Sequence, residues 1–284
     1  MMTVVRSPQA ATDAASTHSV VSVRGARMAF GERVLWDALD LEIVPGEFIA
    51  VLGPNGSGKT TLLQVLLGLR HLTAGEVLVD GRPPGRGSDR IGYIPQQSTL
   101  EADLPLRARD LVGLGLDGHR LGLGPLGPGA RRVRRRRIDA AMAEVGATGY
   151  ADAPLARLSG GEQQRLRVAQ ALVGEPSVLL CDEPLLSLDL ASQRTVAMLI
   201  EIRRRTAGTP VVFVTHEINP VLPLVDRVLY LVDGQFRIGP VEEVMTTEVL
   251  SELYGTRVDV LRVRDRLVVV GAEEVPHHVH GPDE

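Results

Sequence analysis

Eight residues narrow what this chain can fold into more than any others: Gly53-Pro54-Asn55-Gly56-Ser57-Gly58-Lys59-Thr60. They follow the apolar run Phe48-Ile49-Ala50-Val51-Leu52 and precede the apolar-rich Thr61-Leu62-Leu63-Gln64-Val65-Leu66-Leu67. The order reads as strand, glycine loop, helix, in the pattern of a loop whose backbone N–H groups wrap a phosphate chain. Gly53, Gly56 and Gly58 provide the unusual backbone angles and leave room for phosphate oxygens. The first turn of the helix adds unsatisfied N–H groups and a partial positive charge. Lys59 is placed to reach the β- and γ-phosphates, and the Thr60 hydroxyl to ligate Mg²⁺. Thr61 continues the nucleotide-binding set. A glycine turn that only joins a strand to a helix would not need Lys-Thr at that spacing.

A second element lies downstream. Val178-Leu179-Leu180-Cys181-Asp182 is a continuous apolar run ending in acid, the mark of a strand buried on both faces, and Glu183 follows. Asp182 is expected to hold Mg²⁺ through its water shell. Glu183 is expected to polarise the attacking water as a general base. Between the two elements, Ser159 is predicted to cap a helix over 160–173, with Glu162 as its capping-box partner.

The remaining chain alternates between strand and helix signals. Residues 20–52 read as β-rich, in the segments 20–23, 34–36 and 39–43, with a turn at Pro45-Gly46. Phe30 could belong to the core or stack on a purine base; the sequence leaves both open. Further strands are expected at 75–80 and 90–94, the latter ended by Pro95. Residues 106–157 look helical, broken by a Gly/Pro-rich loop over 115–129. After it come Arg131, Arg132, Arg134, Arg135, Arg136 and Arg137, interrupted by Val133. That run reads as a solvated helix start, as a face near acidic lipid headgroups or a partner, or as a nucleic-acid patch. Helix is predicted over 190–205 and 241–254, strand over 211–214, and hairpins at 228–238 and 258–270.

Composition excludes some classes. A net charge of −4 over 284 residues does not suit a general nucleic-acid binder. No apolar run approaches the roughly 20 residues that span a bilayer. The single Cys181 excludes an internal disulfide and suits a reducing cytoplasm; it reads as a buried structural thiol. Residues 1–19 read as a disordered lead-in.

Leu158-Ser159-Gly160-Gly161-Glu162-Gln163-Gln164-Arg165 stands just upstream of the acid-ended strand. Together with the phosphate loop, in this order, it resembles the signature sequence of ATP-binding cassette (ABC) ATPases, and the resemblance runs from about residue 20 to 239. It implies a P-loop α/β fold: a mixed sheet with flanking helices, an antiparallel β subdomain and an inserted helical subdomain at about 97–165. The cassette would span 20–255, followed by a β-hairpin at 256–271 and a histidine-bearing tail at 272–284.

The resemblance also implies roles. Ser159, Gly160, Gly161 and Glu162 would cap the γ-phosphate bound to a second copy, so that a homodimer sandwiches two ATP molecules. Gln96 matches the glutamine that senses Mg²⁺ and water. Ser187-Leu188-Asp189 matches the loop at the dimer seam, His216 the switch histidine, and Phe30 the adenine-stacking aromatic. The catalytic set would be Glu183, His216, Gln96 and Lys59, with Thr60, Gln96 and Asp182 around Mg²⁺. The stretch after Thr215 and the segment Val249-Leu250-Ser251-Glu252-Leu253-Tyr254-Gly255 are similar to cassettes that power manganese or zinc importers. Iron-chelate, heme and cobalamin importers use closely similar ones. That likeness implies separate permease subunits, an extracellular solute-binding protein, a peripheral place on the cytoplasmic membrane face, and no nucleic acid. A soluble non-transport ABC ATPase is the more distant alternative. In the tail, His277, His278 and His280 could bind zinc.

Overall fold

The computed structural model describes residues 19–96, 106–118 and 127–271. A six-stranded sheet carries the fold, in the order β5 (Ile91–Ile94), β6 (Val178–Asp182), β7 (Val211–Val214), β3 (Phe48–Leu52), β8 (Arg227–Val232), β9 (Gln235–Gly239). Its strands pair in parallel except β9, which returns antiparallel beside β8 through Asp233 and Gly234. β3, β6 and β7 are buried at every position, as continuous apolar strands covered on both faces must be.

The alternation of side chains along these strands decides what packs where. Phe48, Leu179, Cys181, Val211 and Phe213 face one side, where they meet the helical cluster that includes Val196 and Ile200. Ile49, Val51, Leu180, Val212 and Val214 face the other. There they meet α1 (Lys59–Leu66) and a three-stranded antiparallel sheet, β2 (Arg33–Ile43), β1 (Val21–Phe30), β4 (Ala74–Val79). Trp36, fully buried, is the largest side chain filling this second layer.

Between β5 and β6 lie α2 (Ala108–Asp117), α3 (Pro128–Glu144) and α4 (Gly160–Leu172). After β6 comes α5 (Leu190–Ala207), and after β9 come α6 (Val241–Val244) and α7 (Thr247–Tyr254). The latter pair cover Ala50, Leu52, Val228 and Tyr230. A separate hairpin, β10 (Asp259–Val263) and β11 (Arg266–Val270), tucks Leu267 into that cluster, and the Asn219 side chain exchanges two hydrogen bonds with the Leu267 backbone.

Several sequence expectations change. The three short segments over 20–43 are two long strands joined by a tight turn, and β2 bends at Ala38, which has a φ of 53°. The loop expected over 115–129 begins later, because α2 continues through Gly115 to Asp117. A Cβ at Gly115 would run into the Gln170 carbonyl of α4, so this glycine serves close helix packing rather than a break. α3 starts earlier, at Pro128, a residue suited to a first helical position. Helix over 241–254 is two helices, parted at Met245 and Thr246. His277, His278 and His280 lie outside the described residues.

Candidate functional site

The site begins with the way β3 ends. Gly53 follows at a φ of 139°, and a Cβ there would strike the Leu231 carbonyl on β8. Gly58, at a φ of 100°, ends the loop as the N-cap of α1, where a Cβ would lie 2.9 Å from Trp36 Nε1. Both positions exclude any residue but glycine. α1 therefore starts with no side-chain cap and no acidic residue in its first turn, leaving its N–H groups directed into the loop. The buried Ser57 hydroxyl has no hydrogen-bond partner among the described residues. Lys59, itself buried, lies along the loop and donates to the carbonyls of Gly53 at 2.7 Å and Pro54 at 2.9 Å. Burial lowers its pKa, while Glu183 and Asp182 act in the opposite direction.

Phe30, Arg33, Asn55, Gly56, Gly58, Lys59, Thr60, Thr61, Gln96, Asp182 and Glu183 line one cleft of about 410 Å³. Phe30 is 43% exposed, which settles its alternatives: it is a cleft wall and not core. The Arg70 guanidinium sits over its ring at 5.1 Å.

Asp182 ends β6 with its carboxylate buried. Burial raises its pKa first and the charge of Glu183 second, while Tyr93 and Lys59 oppose the rise. Tyr93, on the neighbouring strand β5, donates to Asp182 Oδ2 at 3.4 Å. Its own pKa is pushed up to about 12 by burial and by that carboxylate. Glu183 adopts a left-handed backbone, with φ 48°, sparsely populated for a residue with a side chain. Its N–H donates to the Val214 carbonyl at 3.0 Å, and its carboxylate meets His216 Nδ1 at 2.9 Å. The sharp turn thus sends two adjacent carboxylates in different directions, one back toward β5 and one across to the loop after β7.

Two carboxylates and a lysine at the mouth of a glycine loop make a site for a charged phosphate ester with a hard cation. Thr60, Gln96 and Asp182 offer oxygen donors, the kind Mg²⁺ takes, and a divalent cation would offset both the burial and the Glu183 charge that raise the Asp182 pKa.

The signature residues lie elsewhere. Ser159 caps α4: its Oγ accepts from Glu162 N–H at 3.3 Å, and Glu162 Oε2 accepts from Ser159 N–H at 2.8 Å. Those bonds hold the Glu162 carboxyl below its ordinary range. Asp189 caps α5 in the same way, accepting from Ala191 and Ser192 at 2.9 Å each. The two helix tips adjoin, since a Cβ on Gly161 would collide with Ser192 Oγ. Neither Ser159, Gly160, Gly161 and Glu162 nor Ser187, Leu188 and Asp189 line the cleft.

Sequence reasoning missed some of these contacts. Arg33 opens β2 and donates to the Gly56 carbonyl at 2.9 Å; only the tight turn after Phe30 brings it there. Gln163 donates to the Leu155 and Leu158 carbonyls at 3.1 Å each. Gln193 does the same to Leu185 at 3.4 Å and Leu188 at 3.2 Å. Each glutamine stands four residues after its helix cap, a spacing that was there to be read.

The fold and cleft define a P-loop nucleotide-binding protein. Residues 36–186 match the family model described as ABC transporter, and this chain belongs to that family. It is 36% identical to the zinc transport system ATP-binding protein TroB of Treponema pallidum, over 86% of this chain and 90% of that one. Identity to the manganese transport system ATP-binding protein MntB of Bacillus subtilis is 31%, covering 89% and 99%. It is also 42% identical to the aliphatic sulfonates import ATP-binding protein SsuB 1 of Nocardia farcinica, over 77% and 80%. Among solved structures, an inward-facing metal-chelate type ABC transporter aligns with a TM-score of 0.74 at 25% identity, covering 89% of this chain and 96% of that one. The chain is an ABC ATPase, and hydrolysis of ATP is its reaction. No described helix is long and apolar enough to cross a membrane.

Proposed function

We propose that this chain powers the import of a divalent metal ion, zinc or manganese, working as a homodimer beneath separate membrane-spanning permease subunits. The observation that carries the cargo is coverage. TroB, MntB and the zinc import ATP-binding protein ZnuC of Yersinia enterocolitica match along 90%, 99% and 93% of their lengths, whereas the sulfonate relative, though more identical, matches along 80% and the ZnuC of Halorhodospira halophila along 77%. A solute-binding protein outside the cell would deliver the ion, and this chain would sit on the cytoplasmic face without touching it. The metal-chelate transporter among the structural neighbours favours a second reading, in which the cargo is an iron chelate, heme or cobalamin.

In this reading, Phe30 stacks on the adenine, and the N–H groups of 53–60 bind the phosphates. Lys59 leaves its loop carbonyls for the β- and γ-phosphates. Mg²⁺, held by Thr60, Gln96 and Asp182, would neutralise developing charge on the phosphates. Glu183 orients the attacking water and takes its proton, with His216 fixing the carboxylate from the other side. The Ser159 helix tip of the second copy closes over the γ-phosphate. Catalysis is then positioning and charge stabilisation, with no covalent intermediate.

The test is uptake by the chain reconstituted with its permease and binding protein. The proposal expects ATP-dependent accumulation of zinc or manganese, abolished by Glu183→Gln. Uptake of a chelate or a sulfonate with no response to the free ions would overturn the cargo.

A further inference from the structure

The outward face of α3 has no role in the site. Its C-terminal half packs inward through Ile138, Ala141 and Met142. The residues before Ile138 are not buried, and they include Arg131, Arg132, Arg134, Arg135, Arg136 and Arg137. Arg134 is bound to Asp117 of α2, and Arg135 lies 3.7 Å from Asp139. Arg131, Arg132, Arg136 and Arg137 are exposed and form no ion pair with any described residue. Val133 stands among them, 55% exposed.

Such an arrangement is costly for a helix. Arg131 faces Arg135, and Arg132 faces Arg136, at the spacing where like charges repel. Only Asp139, beside Arg135, offsets the charge along this part of the helix, and no acidic residue stands in the first turn. The chain as a whole carries a net charge of −4, so the concentration of cations is local. An external anionic surface would relieve that repulsion.

We propose that Arg132, Arg136 and Arg137, which with Val133 share the side of α3 turned away from Ile138 and Met142, rest on anionic phospholipid headgroups. The guanidinium fork pairs with phosphate in two parallel hydrogen bonds, and mobile headgroups can meet three outward cations without a matching rigid surface. Val133 reaches the shallow apolar edge of the interface. An extended phosphate polymer is the poorer fit, because the acidic remainder of the chain would repel it along its length. The contact steadies the helical subdomain against the bilayer and needs neither cargo nor ATP.

Flotation of the full chain tests it, using phosphatidylcholine vesicles with and without phosphatidylglycerol. Wild type should float only with the anionic vesicles, and raising salt should release it. Arg132→Gln/Arg136→Gln/Arg137→Gln should weaken the partition by about tenfold or more, with ATP hydrolysis unchanged and melting no lower than in the wild type. The matching triple lysine variant should keep most of the binding. Equal flotation with both vesicle types, or binding indifferent to salt, overturns the proposal in the wild type alone. So does capture of duplex RNA through the same arginines without flotation. Because permease and cargo are absent from the assay, its failure would leave the metal-import reading standing, and the reverse also holds.

Discussion

α1 follows a glycine cap and α4 opens on two glycines, yet they treat their N-termini in opposite ways. α1 has no side-chain cap, and its tip is enclosed by β3, β8 and Trp36. α4 supplies its own cap, Ser159 with Glu162, and stands outside the cleft. An uncapped, enclosed tip is poised for a ligand bound by the same chain. A self-capped tip at the surface is stable alone and can trade its internal hydrogen bonds for an outside partner. That difference is what the proposed site, shared between two copies, would require.

The largest expected effect breaks the first half of the comparison. Glu183→Gln should lower ATP turnover by about a hundredfold or more, while equilibrium ATP binding stays within a few-fold; unchanged turnover would remove Glu183 from its role. Next comes the frame beneath both tips. Glu201 on α5 is buried against Arg204, which also bonds Asp226 and the Gly46 carbonyl just before β3. Hydrogen bonding from Arg204 lowers the Glu201 pKa. An acid with a lowered folded pKa stabilises the fold above its unfolded value and loses that contribution as pH falls through the folded one. Glu201→Gln should therefore cost about 2 kcal/mol at neutral pH and approach wild-type stability in strong acid. Parallel denaturation curves at several pH values would check this.

Smaller effects sharpen the comparison. Phe30→Ala should weaken ATP binding about tenfold, as loss of one base-stacking ring does, read by titration with a fluorescent ATP analogue. Glu162→Gln keeps the capping box, since glutamine can fill that position, but removes a carboxylate from the tip of α4. ATP-driven dimerisation should tighten by a few-fold, with ATP binding to the monomer unchanged; weaker dimerisation would mean that the carboxylate serves the contact.

Local chemistry was legible in the sequence, and long-range approach was not. The glycine loop, the acid-ended strand and the Ser159–Glu162 box each sit within a dozen residues, so spacing alone located them. Tyr93 reaches Asp182 because β5 pairs with β6, 89 positions away in sequence. Arg33 reaches Gly56 because β1 and β2 fold over the loop. Gly115 was misread for the same reason: its cause is the α4 backbone, which no local pattern displays. The proposed relation of Ser159 to a nucleotide came from the family resemblance alone, since within one chain the signature tip does not line the cleft.

The most direct measurement uses Glu183→Gln with an ATP analogue that carries a photoreactive group on its γ-phosphate. Once cross-linked, digested and sized, the account predicts a dimer in which the nucleotide is bound by one copy's Lys59 loop and the label falls on the partner copy at Ser159 or its neighbours. A nucleotide-loaded monomer that never labels this segment would contradict it.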